Sequence, residues 1–161
     1  MFKSGSFVAD ALGELREDQR QPNGVDLTVG AIYEQIGEGS IRRDGKTVGD
    51  RRERHPDSGV FELEPGGYVV RYGERVTIPE GHVGFVYPRS SLLRNSCMLH
   101  TAVWDAGYSG VGEGLLVVHH PIDIEPGARI AQLVFAAADH DGTYDGSYQG
   151  EGTDAEEKTA D

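Results

Sequence analysis

Phe7, Val8, Ala11, Leu12 and Leu15 recur at helical spacing, and this stripe predicts one short amphipathic helix over residues 6–16. Beyond it the pattern changes. Apolar positions come in short runs rich in β-branched and aromatic residues: Tyr68-Val69-Val70, Val83 to Tyr87, Leu115 to Val118 and Arg129 to Phe135. Each reads as a strand. Pro65-Gly66-Gly67, Pro79-Glu80-Gly81 and Pro126-Gly127 punctuate them, and no second long helix is available to cross between parallel strands. The pattern predicts an all-β fold, an antiparallel sandwich or barrel with a short N-terminal helix.

Two segments fall outside this pattern. Residues 42–58, RRDGKTVGDRRERHPDS, hold many of the chain's basic residues and almost nothing apolar, so they are expected to form a solvated loop. A nucleic-acid patch would need aromatic or groove-entering partners that this stretch lacks. After Phe135 the chain becomes small, Gly-rich and acidic, ending in EGTDAEEKTAD, and such a segment buries too little surface to order itself without a ligand. The expected organisation is one domain over residues 1–138 and a flexible tail over 139–161.

With 161 residues the chain is the size of a single domain. Its formal charge of −12 repels phosphate backbones, which argues against general nucleic-acid binding and requires any phosphate ligand to be held locally. The same acidic, lysine-poor surface suits a protein kept hydrated at high salt. One cysteine, Cys97, excludes an internal disulfide and a Cys-x-x-Cys metal site. No apolar run reaches 18 residues and no cleavable leader is evident, so a soluble cytoplasmic protein without membrane association is expected.

Four segments carry candidate chemistry. Pro88-Arg89-Ser90-Ser91-Leu92-Leu93-Arg94 follows an apolar strand; its two guanidiniums and two hydroxyls suit a phosphate chain, and equally suit a helix start with a capping serine. Trp104-Asp105-Ala106-Gly107-Tyr108-Ser109-Gly110 sets an aromatic three residues after a carboxylate, or is simply a turn. In Gln21-Pro22-Asn23-Gly24-Val25-Asp26-Leu27 a turn delivers Asp26 into an apolar strand, where it serves either the turn or a site. Arg129 and Gln132 interrupt an otherwise buried strand, and polar groups there must be paired or functional.

Together these segments resemble the dUTPase and dCTP deaminase superfamily in its archaeal-type branch. Q-P-x-x-V-D-L, P-R-S-S-L, D-x-G-Y-x-G, P-G-x-R-I-A-Q-L-V-F and a C-terminal Y-Q-G occur in the family's order over roughly residues 21–150. The resemblance implies a homotrimer of distorted antiparallel β barrels with active sites where subunits meet. It implies that dUTP is cut to dUMP and pyrophosphate with Mg²⁺, which clears dUTP from the nucleotide pool and supplies dUMP. On this reading Asp105 is the catalytic aspartate that orients and activates the attacking water. Arg89, Ser90, Ser91 and Arg94 belong to the phosphate-binding motif, Gln132 lies near the phosphates, and Asp26 is associated with the metal region. Tyr108 packs on the deoxyribose, while Tyr148, Gln149 and Gly150 form the tail element that closes over the nucleotide. The uracil pocket is expected between His100 and Gly110.

The competing activity is deamination of dCTP, alone or combined with hydrolysis. The resemblance implies a deaminase glutamate ten residues after the motif aspartate, and here that position is Leu115, which can neither take nor give a proton. Glu113 lies two residues earlier, on the same face of a strand, so a slipped strand would present a carboxylate instead. Zinc-type deamination lacks its cysteine ligands. The histidines show no ligand spacing. A non-catalytic nucleotide-binding protein is the third alternative, opposed by the joint presence of Asp105, Arg89, Ser90 and Tyr108.

Overall fold

The computed structural model describes residues 1–153; the end of the expected tail, residues 154–161, lies outside the described residues. The N-terminal stripe is helical for little more than one turn, as α1 (Gly5–Ala9), which Ser4 caps by accepting the Phe7 N–H at 3.3 Å. The longer helix expected over 6–16 does not form. Ala11 and Leu12 are instead drawn alongside Val76 and Thr77, with the Thr77 N–H donating to the Ala11 carbonyl. Val8, Ala9 and Leu12 still reach the core. Tertiary pairing overrides the local helical period.

The strands run in chain order: β1 (Arg20–Gln21), β2 (Gly24–Gln35), β3 (Ser40–Arg42), β4 (Gly45–Thr47), β5 (Arg51–Arg54), β6 (Phe61–Leu63), β7 (Gly66–Tyr72), β8 (Val76–Thr77) and β9 (His82–Pro88). After α2 (Ser90–Arg94) come β10 (Cys97–His100), β11 (Ser109–Gly110), β12 (Glu113–Val118), β13 (Ile122–Ile124) and β14 (Arg129–Ala137). The main sheet has the order β10-β12-β7-β2-β14-β9, with β1 and β5 also on β2, and its pairs are antiparallel. It curls until its two ends approach: just past β10, the Thr101 hydroxyl donates to the Val86 carbonyl of β9 at 3.2 Å. The result is a distorted, nearly closed antiparallel barrel.

β2 makes the curl possible. Residues 24–29 are buried, and the strand then bends where the register shifts against both neighbours, β14 and β7. At the bend Gly30 passes so close to β7 that a Cβ would lie 2.6 Å from the Tyr72 carbonyl oxygen, so only glycine fits. Inward residues of β2, β7, β12 and β14, including Val25, Leu27, Ile32, Val70, Leu116, Leu133 and Phe135, fill the barrel.

The polar segment 42–58 is not the loop that its composition predicts. β3 and β4 form a hairpin, and β5 pairs with the far half of β2, opposing Arg52 and Arg54 to the β2 acid Glu34 at 2.5 and 3.1 Å. Cross-strand charge pairing stands in for the missing apolar alternation.

Candidate active site

Between β10 and β11 the chain crosses the mouth of the barrel. Trp104 bridges to Gly84 on β9, which fixes the crossing, and a turn at Ala106-Gly107 then leads into β11. Gly107 adopts φ +84°, and a Cβ there would meet Thr143 at 2.7 Å, so the glycine both permits the turn and admits the tail. The turn leaves the Asp105 side chain exposed and sends Tyr108 inward, its ring 5.3 Å from that of Trp104 and 5.7 Å from that of Tyr144. Asp105 and Tyr108 line a cavity of about 340 Å³ with Ala102, Val103, Trp104, Arg51, Glu113 and three tail residues. Burial, reinforced by the carboxylate of Glu151, pushes the Tyr108 hydroxyl far above its ordinary range, so it remains a neutral donor.

The tail forms one wall of this cavity. Tyr144 donates its N–H to Ala106 at 2.7 Å, and Tyr108 donates its hydroxyl to Glu151 at 2.8 Å. Gln149 grips β11 with both ends of its amide: Nε2 donates to the Gly107 carbonyl at 2.9 Å, and Oε1 accepts the Ser109 N–H at 3.0 Å. Gly150 then donates to the Ser109 carbonyl, and Val111 to that of Glu151, both at 2.8 Å. Tyr148, 41% exposed, borders the cavity beside Glu151.

A second cluster forms where β2, β14 and the end of β9 run side by side. Gln132 on β14 stands opposite both Asp26 on β2 and Tyr87 on β9. Asp26 is 2% exposed, and its carboxylate takes Arg89 at 3.0 Å, Arg129 at 3.3 Å and the Gln21 amide at 3.1 Å. Burial raises its pKa, against the pull of Arg89 and Arg129. Arg89 occupies the N-cap position of α2 without a side-chain cap bond, so neither serine caps the helix; Ser90 and Ser91 lie exposed in its first turn, with Arg94, also exposed, in the last. None of these residues lines the Asp105 cavity.

Comparison with known proteins bears on this arrangement. A family described as dCTP deaminase-like matches residues 2–138. The chain is 59% identical over 160 residues, 96% of this chain and 97% of the relative, to a probable deoxyuridine 5'-triphosphate nucleotidohydrolase of Halobacterium salinarum. It is 50% identical over 138 residues, 82% of this chain and 86% of the relative, to a protein of the same name from Aeropyrum pernix. The chain belongs to the dCTP deaminase-like family. Its barrel is similar to that of the 2'-deoxycytidine 5'-triphosphate deaminase of Agrobacterium tumefaciens, with a TM-score of 0.65 at 22% identity over 85% of this chain; the chain spans about half (48%) of that deaminase.

Within this family, what matters is which residues the cavity brings together. Asp105, Tyr108 and Tyr148 share it, and Gln149 braces its edge, whereas Arg89, Ser90, Ser91, Arg94, Gln132 and Asp26 stand elsewhere on the chain. The segment 102–108 lies in the stretch where the base pocket is expected. On β12, Leu115 is 45% exposed and faces the same way as Glu113, as strand periodicity requires. Leu115 does not border the cavity, whereas Glu113 does. Both Glu113 oxygens are engaged, by Arg51 at 2.6 Å and Arg71 at 3.2 Å. Sequence reasoning missed Arg51, Tyr144 and Glu151 as cavity residues. The only signal was that the first sits in the basic segment and the other two flank Y-Q-G.

The residues present do not fit a protein-held Mg²⁺. Asp26, expected near the metal, faces two guanidiniums that repel a cation, and among the described residues no group of three or more His, Cys, Asp or Glu side chains is arranged to hold one.

Proposed function

We propose that the protein hydrolyses dUTP to dUMP and pyrophosphate. The observation that carries this reading is the pairing of an exposed carboxylate, Asp105, with a buried aromatic, Tyr108, on the wall of one nucleotide-sized cavity. Tyr108 packs against the deoxyribose and leaves no room for a 2'-hydroxyl. Asp105 holds a water and takes its proton as the water oxygen attacks the α-phosphorus; the bond from that phosphorus to the bridging oxygen breaks, and pyrophosphate leaves. Arg89, Ser90, Ser91, Arg94 and Gln132 donate to the phosphate chain, and their fixed charge and dipoles stabilise the leaving group. Asp26 acts as the counter-charge that orients Arg89. Mg²⁺ arrives bound to the triphosphate, as part of the substrate.

Because the two clusters do not meet within one chain, the complete site requires a neighbour. This supports an assembly with each site at a subunit junction, which we read as a homotrimer of about 52 kDa, three times the 17.4 kDa chain. The tail beyond residue 138, through Tyr148 and Gln149, closes that site over the nucleotide.

One observation favours the second reading, dCTP deamination: Glu113 borders the same cavity. To carry a proton it would have to release charge-assisted hydrogen bonds from two arginines, three bonds in all, which makes it a poor shuttle. Incubation with dUTP and with dCTP in the presence of Mg²⁺, followed by identification of nucleotide, pyrophosphate and ammonia, decides between the two. Pyrophosphate from dUTP and no ammonia from dCTP is the expected result.

A further inference from the structure

Tyr148 has a second set of neighbours that the reaction does not use. On its far side lies a separate cavity of about 310 Å³ bordered by the β3–β4 hairpin and the residues after it, including Ile41, Lys46, Thr47 and Val48. The Lys46 Nζ sits over the Tyr148 ring, 4.2 Å from its centroid. Among the described residues Lys46 forms no ion pair, so the aromatic face is the partner its ammonium has. The hairpin itself carries no residue of the Asp105 cavity.

We propose that the β3–β4 hairpin is a latch for the C-terminal segment, and that Lys46 is a positioning residue that holds Tyr148 against the wall of the active-site cavity. The inference rests on the reading of that cavity as the dUTP site. The physical case is that the other contacts described for the segment from Tyr144 to Glu151 all lie on its inner side: the Tyr144 N–H on Ala106, the Tyr108 hydroxyl on Glu151, the Gln149 amide and two backbone hydrogen bonds to β11 and Val111. Those contacts fix its inner edge. Lys46 fixes the outer edge, on an element anchored independently through β2 and β5. A cation over an exposed ring is a weak contact, and a weak contact suits a segment that must open each time nucleotide enters or product leaves.

The test uses the full chain. In nucleotide-free protein, amide hydrogen exchange over residues 144–153 reports how often the segment opens. Lys46→Ala should speed that exchange about two- to five-fold, the scale of an exposed cation–π contact, while exchange in β2 and β14 stays unchanged. Lys46→Arg and Tyr148→Phe keep the cation and the ring, and should keep the protection. Tyr148→Leu should match Lys46→Ala, and the double variant should be no faster than the worse single one. In turnover, Lys46→Ala should raise KM for dUTP by a similar factor with kcat nearly unchanged, since saturating nucleotide restores closure. Unchanged exchange in Lys46→Ala, or effects that add in the double variant, would overturn the latch. The exchange measurement does not depend on activity: a protein inert toward dUTP would defeat the functional reading and leave the latch standing, whereas an active enzyme with unaltered exchange would do the reverse.

Discussion

The cavity at the barrel mouth and the cluster between β2 and β14 both centre on an aspartate, and the two are built in opposite ways. Asp105 is exposed, sits on a turn and is left available to whatever enters the cavity. Asp26 is buried in the longest strand, with two guanidiniums and an amide already on its carboxylate. A carboxylate whose partners are all supplied by the fold serves to place those partners, here Arg89. A carboxylate without them is free to act on a ligand. The contrast separates the residue proposed to do chemistry from the residue proposed to present phosphate-binding charge.

The largest expected effect falls on the first. Asp105→Asn keeps the shape of the side chain and removes the base, so dUTP turnover should drop about 10²–10⁴-fold, with melting temperature and affinity for a non-hydrolysable dUTP analogue close to wild type. Near-normal turnover would take Asp105 out of the mechanism. Next comes removal of the tail: truncation after Asp139 eliminates the Gln149 clamp and the Tyr108–Glu151 bond, contacts worth about 1 kcal/mol each, and should lower kcat/KM at least about ten-fold. The truncated protein should still sediment as a trimer, lighter than the full-length assembly by its three missing tails. A truncated enzyme of full activity would make the tail a solubilising appendage.

The Asp26 cluster should answer differently. Arg89→Ala leaves a buried carboxylate with one guanidinium fewer, and losing a partner of a buried pair costs about 3–5 kcal/mol at the upper end; Arg129 remains, so the loss should fall below that range. The variant should therefore lose thermal stability and dUTP binding together, whereas Asp105→Asn loses neither. Calorimetry and analogue titration on the two variants sharpen the comparison. A stable Arg89→Ala protein that binds nucleotide normally would break it.

Much of this was legible in the residue order, for identifiable reasons. The core strands β7, β9, β12 and β14 are legible because their runs are apolar and bounded by Gly and Pro. Asp105 and Tyr108 are legible because they share one short motif on a single turn. β3, β4 and β5 are not, since their pairing rests on Arg52 and Arg54 against Glu34, a partner some twenty positions away that no local period reveals. The N-terminal helix stops short of its predicted length because Ala11 and Leu12 sit at helical spacing while their backbone is claimed by Val76 and Thr77, distant in sequence. Arg51 escaped for the same reason as β5. Asp26 was legible as important but not as ion-paired, because Arg89 and Arg129 lie 63 and 103 positions further along the chain.

The smallest effect is expected at Glu113, a cavity acid that resembles Asp26 more than Asp105. Its oxygens are taken by Arg51 and Arg71, and its side chain is largely covered, so it belongs with the carboxylates that hold structure in place. Glu113→Gln keeps the volume and one acceptor but abolishes both ion pairs and turns an amide N–H toward one of the two arginines. Both guanidiniums are partly in water, so the stability cost should be about 1 kcal/mol or less. Turnover of dUTP should stay within about two-fold of wild type by the same reasoning, and neither protein should release ammonia from dCTP. The reason is chemical: attack of water at the cytosine C4 needs a carrier that protonates the ring nitrogen, help worth about 10²–10⁴ in rate, and Leu115 cannot give it. Ammonia release from dCTP by the wild type, at a rate comparable with pyrophosphate release from dUTP, and its disappearance in Glu113→Gln, would show that the carboxylate leaves its arginines when cytosine is bound. Glu113 would then have to be grouped with Asp105 as a residue that touches the reacting atoms, and the enzyme would be bifunctional.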